Sequence, residues 1–345
     1  MLIKVFSKNI FYLLMFILFS YGAFAQLTSN GNFFPNPLNQ FQSSFYPILK
    51  KPIKSFVYII DKDTVSKSYY DKNGNEYSQL DYENNKPFYK SLFKYTGAFK
   101  TESKFFIKDI LQSTTTFRYD EKGNLIEWQA VKTVYDTKTS TSKLVDDIHW
   151  KIEYDNTNKV KKESSLDASK TVNQFFEYSY NASNKLIEKN ERQWKDTYEY
   201  NNNLLTNKYR IFKNDNSVYS SSEFKYNSNN LLIESSDKYY VTAYSYDSLQ
   251  LKKIIYMNKL DKTNQEINFF YLNNIIFKVE INTTDIKLKP EFYFKTDYLY
   301  HSWSKTDRNK LKMEFLYDKY NNVIEIKYFI KDEYMYSKFF IYSYY

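Results

Sequence analysis

Six times along the chain a Tyr is followed by Asp or Asn, two variable residues, and Gly or Asn, at Tyr70, Tyr119, Tyr154, Tyr180, Tyr226 and Tyr317. The spacing predicts a chain reversal after each Tyr. Asp71, Asp120, Asp155, Asn181, Asn227 and Asp318 stand at the first position of a type I turn, which favours a side chain that accepts hydrogen bonds from the backbone two residues on. Gly74, Gly123, Asn158, Asn184, Asn230 and Asn321 stand where the backbone must turn left-handed. Gly does this freely and Asn is the next best.

Outgoing strands follow, as in Leu125-Ile126-Glu127-Trp128, Leu186-Ile187-Glu188, Leu232-Ile233-Glu234 and Val323-Ile324-Glu325-Ile326. Ahead of the turns stand aromatic pairs two apart, such as Phe117 and Tyr119 or Phe224 and Tyr226, which share one face of a strand. Tyr198 with Tyr200, Tyr244 with Tyr246 and Phe269 with Tyr271 keep the pair and shorten the turn. From Tyr154 to Tyr271 these anchors recur about every 20 to 26 residues, the length of one two-stranded unit. No stretch has a capped helical period. The expected fold is all-β, an elongated array of antiparallel β-hairpin repeats in a twisted sheet.

Residues 1–25 read as a secretory signal peptide. Lys4 and Lys8 open it, an apolar run from Ile10 to Phe19 follows, and Ala23-Phe24-Ala25 forms a small-x-small cleavage site. The apolar run is short for a membrane-spanning helix, so no helical span is expected in the mature chain. Residues 26–52 hold four of the six prolines, Pro35, Pro37, Pro47 and Pro52, and read as an extended lead-in. The hairpin repeat domain is then 53–345. A secreted or cell-envelope location follows from the signal. The protein has no cysteine, which excludes disulfides, thiolate catalysis and a lipid-carrying Cys.

The formal charge is +9, with Lys and Glu interspersed along the strands. That pattern reads as a solvated mixed face, without the concentrated basic cluster that nucleic acid requires. The two histidines, His149 and His301, are far apart and suggest no metal site. No nucleophile, phosphate-loop or dinucleotide motif is present. Acid pairs such as Asp146/Asp147 and Asp332/Glu333 point to opposite faces of a strand, so neither pair serves a glycosidase alone. No cofactor is expected. The 37 Tyr and 29 Phe suit cross-strand packing. Trp128, Trp150, Trp194 and Trp303, scattered in sequence, suit packing or stacking on a glycan.

Phe117-Arg118-Tyr119-Asp120-Glu121-Lys122-Gly123-Asn124-Leu125-Ile126 resembles the YD repeat of RHS-type proteins, and Tyr70-Asp71, Tyr154-Asp155 and Tyr317-Asp318 match its first part. The resemblance spans roughly residues 55 to 345. It implies an extracellular hairpin array that, in that family, spirals into shells around toxins or forms surface scaffolds contacting carbohydrate. The units counted here are too few for a closed shell, and no toxin-like tail follows them. The function so read is a non-enzymatic secreted or cell-surface scaffold for an extracellular glycan or envelope protein. Two alternatives stand beside it. The aromatic terminal strand Lys338-Phe339-Phe340-Ile341-Tyr342-Ser343-Tyr344-Tyr345 resembles that of an outer-membrane β-barrel, and a carbohydrate-active enzyme is the third reading.

Overall fold

The structure, a computed structural model, describes residues 53–60, 62–136, 141–167, 169–262, 264–283 and 310–344. The signal peptide, the lead-in, His301 and Trp303 lie outside the described residues. Everything described is strand or turn. In chain order the first strands are β1 (Ile53–Ile60), β2 (Asp63–Tyr70), β3 (Glu76–Glu83), β4 (Lys86–Thr96), β5 (Phe99–Ile107), β6 (Ile110–Tyr119), β7 (Leu125–Asp136) and β8 (Thr141–Tyr154). Next come β9 (Val160–Leu166), β10 (Val172–Tyr180), β11 (Leu186–Asn190), β12 (Trp194–Asn201), β13 (Leu204–Phe212), β14 (Val218–Tyr226) and β15 (Leu232–Asp237). The last are β16 (Tyr240–Asp247), β17 (Gln250–Asn258), β18 (Asn264–Leu272), β19 (Ile275–Thr283), β20 (Lys310–Tyr317), β21 (Val323–Ile330) and β22 (Glu333–Tyr344).

Each strand pairs antiparallel with the next, and β22 pairs with β1, with Phe56 opposite Tyr342 and Tyr58 opposite Phe340. The 22 strands therefore close into an up-and-down barrel. This corrects the expected open array and the expectation of too few units to close. Several hairpins carry no repeat signature, such as those turning at Asn84-Asn85 (φ 52° and 59°) and Lys108-Asp109 (φ 47° and 62°), so the motif undercounts the strands. Whether a sheet of given strand number closes is set by accumulated twist and stagger, which no local motif encodes.

One rim of the barrel is built by the repeat. Gly74, Gly123, Asn158, Asn184, Asn230 and Asn321 have φ of 84°, 82°, 66°, 59°, 60° and 61°. The carboxylate or amide oxygen of Asp71, Asp120, Asp155, Asn181, Asn227 and Asp318 accepts from the backbone N–H two and four residues on. Beside each of these turns the register slips by one residue at the Tyr, as between Ser179 and Tyr180 or Lys225 and Tyr226. The bulge sends the Tyr ring along the inner face to the preceding hairpin. Tyr154, Tyr180, Tyr200, Tyr226, Tyr246 and Tyr271 donate their hydroxyls to the carbonyls of Leu125, Val160, Leu186, Leu205, Leu232 and Leu251. Tyr317 and Tyr342 continue the series to Ile276 and Val323. Each bond contributes about 1 kcal/mol net. Burial pushes the Tyr180, Tyr226, Tyr246 and Tyr317 phenols up to about 12, so they remain donors at neutral pH.

Strand alternation gives the wall two unlike faces. On β15–β22 the inner face packs Ile254, Ile267, Phe269, Val279, Ile281, Leu311, Met313, Phe315, Ile326, Tyr328 and Ile330 into one apolar cluster, with Ile254 and Ile267 at 0% exposure. Residues between them point outward and pair as ions: Lys253 with Glu266, Lys278 with Glu280, and Lys312 with Glu314. The outer face continues in kind through Lys94–Glu102, Arg118–Glu127, Lys162–Glu177 and Lys225–Glu234.

Candidate functional site: a charged aromatic patch on the inner face

Charge also enters the barrel on β9–β13. Cross-strand pairing aligns Tyr178, Lys189, Asp196 and Arg210 across β10–β13, and sets Tyr198 opposite Lys208. All share the inner face with the ladder tyrosines, because paired residues point the same way and every second residue returns to the same side. Glu191 bridges Lys189 at 3.4 Å and Arg210 at 3.2 Å. Asp196 lies 3.7 Å from both Lys208 and the Arg210 Nε. It is only 5% exposed, and its Oδ1 has no hydrogen-bond partner. On β9, Glu163 accepts from the Tyr178 hydroxyl at 3.1 Å, and burial holds its carboxyl above the usual range.

Aromatic rings frame these charges. The Lys189 ammonium sits 4.1 Å over the Phe176 ring and the Arg210 guanidinium 5.3 Å over Trp194. Trp194 also meets Phe212 at 5.0 Å and Tyr219 at 5.1 Å, and Tyr219 is 70% exposed. These three rings stand where β12 begins, β13 ends and β14 begins, at the rim opposite the repeat turns. Backbone contacts hold that edge: the Lys213 ammonium donates to the Glu191 carbonyl at 2.7 Å, and the Lys213 N–H donates to the Gln193 carbonyl.

Of the tryptophans read as candidate stacking residues, the structure brings Trp128 and Trp150 together. They stack at 6.3 Å and 13°, and Trp150 stacks on Phe176 at 6.0 Å and 3°. Scattered in sequence, they are therefore continuous in space, because the β7–β8 register sets Trp128 opposite Trp150. Trp194 lies further round the same face. The twelve turn positions lie on the opposite rim and are not brought to this patch. His149 points outward, with Nε2 2.6 Å from Glu127. Among the described residues no three metal-ligating side chains converge. The residues missed by sequence reading are Glu163, Lys189, Glu191, Asp196, Lys208 and Arg210, which look in sequence like any other interspersed charges.

A second set of inner-face ionisable groups lies on β3. Desolvation pushes Asp81 up to about 6 and holds Glu76 above its ordinary value. A carboxyl whose folded pKa is raised binds its proton more tightly folded than unfolded, so stability rises as pH falls through the folded value. The turn residues Asp71, Asp120, Asp155 and Asp318 are held low, mainly by hydrogen bonds, and their contribution is lost as pH falls below about 4. The expected result is a Tm higher at pH 5 than at pH 7.5. Asp81→Asn removes most of that difference, which is of the order of 2 kcal/mol in unfolding free energy. A thermal melt series across pH 4 to 8 reads both.

No protein-family model matches the chain, and no curated protein matches it. Among solved structures it is similar to the TcdB2-TccC3-Cdc42 complex, at 9% identity and TM-score 0.35 over 78% of this chain. It is also similar to the Photorhabdus luminescens Tc holotoxin pore, at 9% identity and TM-score 0.32 over 77%. The chain spans only 17% and 19% of those two chains. A porin-like protein from Bacteroides uniformis aligns over 85% of this chain and 97% of its own, at 10% identity and TM-score 0.27.

Proposed function

We propose that the chain is an exported, non-catalytic β-barrel of the cell envelope that holds a polar ligand on its inner face. Closure carries the barrel part of this reading. With β1 paired to β22, no strand edge is left among the described strands for a partner to extend, which counts against the open-edge mode of a binding scaffold. The patch around Asp196 and Trp194 supports the ligand part, since it is where the inner face carries paired charges and stacked cations together.

Closure also favours a second reading, an outer-membrane barrel. No helix among the described residues is long and apolar enough to cross a membrane, and this says nothing of strands. A bilayer-spanning barrel presents an apolar band outward and polar groups inward. Here the apolar cluster lies inside, and Lys253, Glu266, Lys278, Glu280, Lys312 and Glu314 face outward. Each Lys or Arg at the bilayer midplane costs about 2–4 kcal/mol, which supports a barrel surrounded by water. Fractionation of cells expressing the full chain decides between them. The expected result is a protein released with the periplasm or medium and monodisperse without detergent. Recovery only in outer-membrane detergent extracts, with heat-modifiable migration, selects the membrane barrel instead.

A further inference from the structure

Two consecutive parts of the wall are copies of one double hairpin. Leu186, Tyr200, Leu205 and Lys213 return 46 positions later as Leu232, Tyr246, Leu251 and Lys259. Their bonds return as well. Tyr200 and Tyr246 donate to the Leu186 and Leu232 carbonyls, and Lys213 and Lys259 donate to the Glu191 and Asp237 carbonyls. The registers coincide: Lys189, Asp196 and Arg210 align in the first copy as Ser235, Thr242 and Tyr256 do in the second, and Tyr198 faces Lys208 as Tyr244 faces Ile254.

The inner face is what differs. Where the first copy has Lys189, Asp196, Lys208 and Arg210, the second builds the same backbone with Ser235, Thr242, Ile254 and Tyr256. Ile254 is fully buried and belongs to the apolar cluster. The scaffold thus folds without these charges, and desolvating charges is costly. Their retention in one copy marks a use other than folding.

We infer that this patch is a binding site for a neutral saccharide, an inference that rests on the reading of the barrel as a ligand holder. Lys189, Lys208 and Arg210 balance Glu163, Glu191 and Asp196, so the site favours neither an anion nor a cation. It offers hydroxyl groups both donors and acceptors, and the Asp196 Oδ1 is an acceptor still without a hydrogen-bond donor. Trp194 and the exposed Tyr219 supply ring faces for the apolar side of a pyranose at the mouth.

The test uses the purified mature chain, with neutral cello-, malto- and xylo-hexaoses and matching oligouronides as probes, read by Trp fluorescence and calorimetry. At least one neutral hexaose binds and the oligouronides do not. Trp194→Ala weakens that binding at least 10-fold. The triple exchange Asp196→Thr, Lys208→Ile, Arg210→Tyr, which installs the second copy's residues, abolishes it with Tm unchanged or raised. Binding of oligouronides alone, unchanged affinity in the triple variant, or its failure to fold overturns the proposal. A soluble monomeric barrel that binds none of the neutral probes overturns the saccharide site and leaves the barrel reading standing.

Discussion

Deleting β22 unfolds the whole sheet, not only its last hairpin. In an open array each unit leans on its neighbours alone, and loss of a terminal unit leaves the rest nearly intact. Here β22 holds two partners. It pairs with β21 through Ile326 opposite Lys338 and with β1 through Val57 opposite Ile341. Its inner-face rings pack on both sides, with Tyr336 stacked on Tyr328 at 4.6 Å and Phe340 on Tyr58 at 5.3 Å and Phe56 at 5.9 Å. A chain ending at Asp332 uncovers these partners and leaves β1 and β21 as bare edges, which template aggregation. The expected outcome is loss of the cooperative thermal transition and of the monomer peak in size-exclusion chromatography. A soluble truncated monomer that melts with slightly reduced enthalpy shows instead that the seam is not closed.

Ile267→Asp abolishes folding at neutral pH, while Glu266→Ala, one residue away, is nearly silent. Ile267 is fully buried between Ile254 and Ile281 on paired strands. A carboxylate there has no partner and destabilises by roughly 4 kcal/mol or more, a large part of a domain's net stability. Glu266 points to the other face and pairs with Lys253 at 3.1 Å. Losing that exposed pair costs about 0.2–1 kcal/mol. Denaturant melts of the two variants read which face is inside. Comparable losses in both, or a tolerated Asp at 267, contradict the assignment of an apolar interior and a hydrated exterior.

The turns were legible in sequence because their causes are local. An Asp or Asn that caps its own turn and a Gly or Asn at positive φ act within five residues, and Gly123 and Asn230 sit at chain reversals for that reason. The inner patch was illegible because its members belong to separate strands. Lys189 and Asp196 meet only through the β11–β12 register, and Asp196 and Arg210 only through β12–β13. One usable signal was present: aligning 186–213 with 232–259 shows charges in one copy replaced by Ser, Thr, Ile and Tyr in the other. Trp128 and Trp150 show the same limit, since only the β7–β8 register brings them together.

By itself the sequence determined an all-β chain of Tyr-anchored hairpins, because strand alternation and turn chemistry are short-range effects that each segment settles alone. Only the tertiary structure decided that the last strand meets the first, which face is enclosed, and which charges lie inside. Those outcomes depend on twist and register accumulated over the whole circumference, and a single residue of slip in any strand reverses its faces.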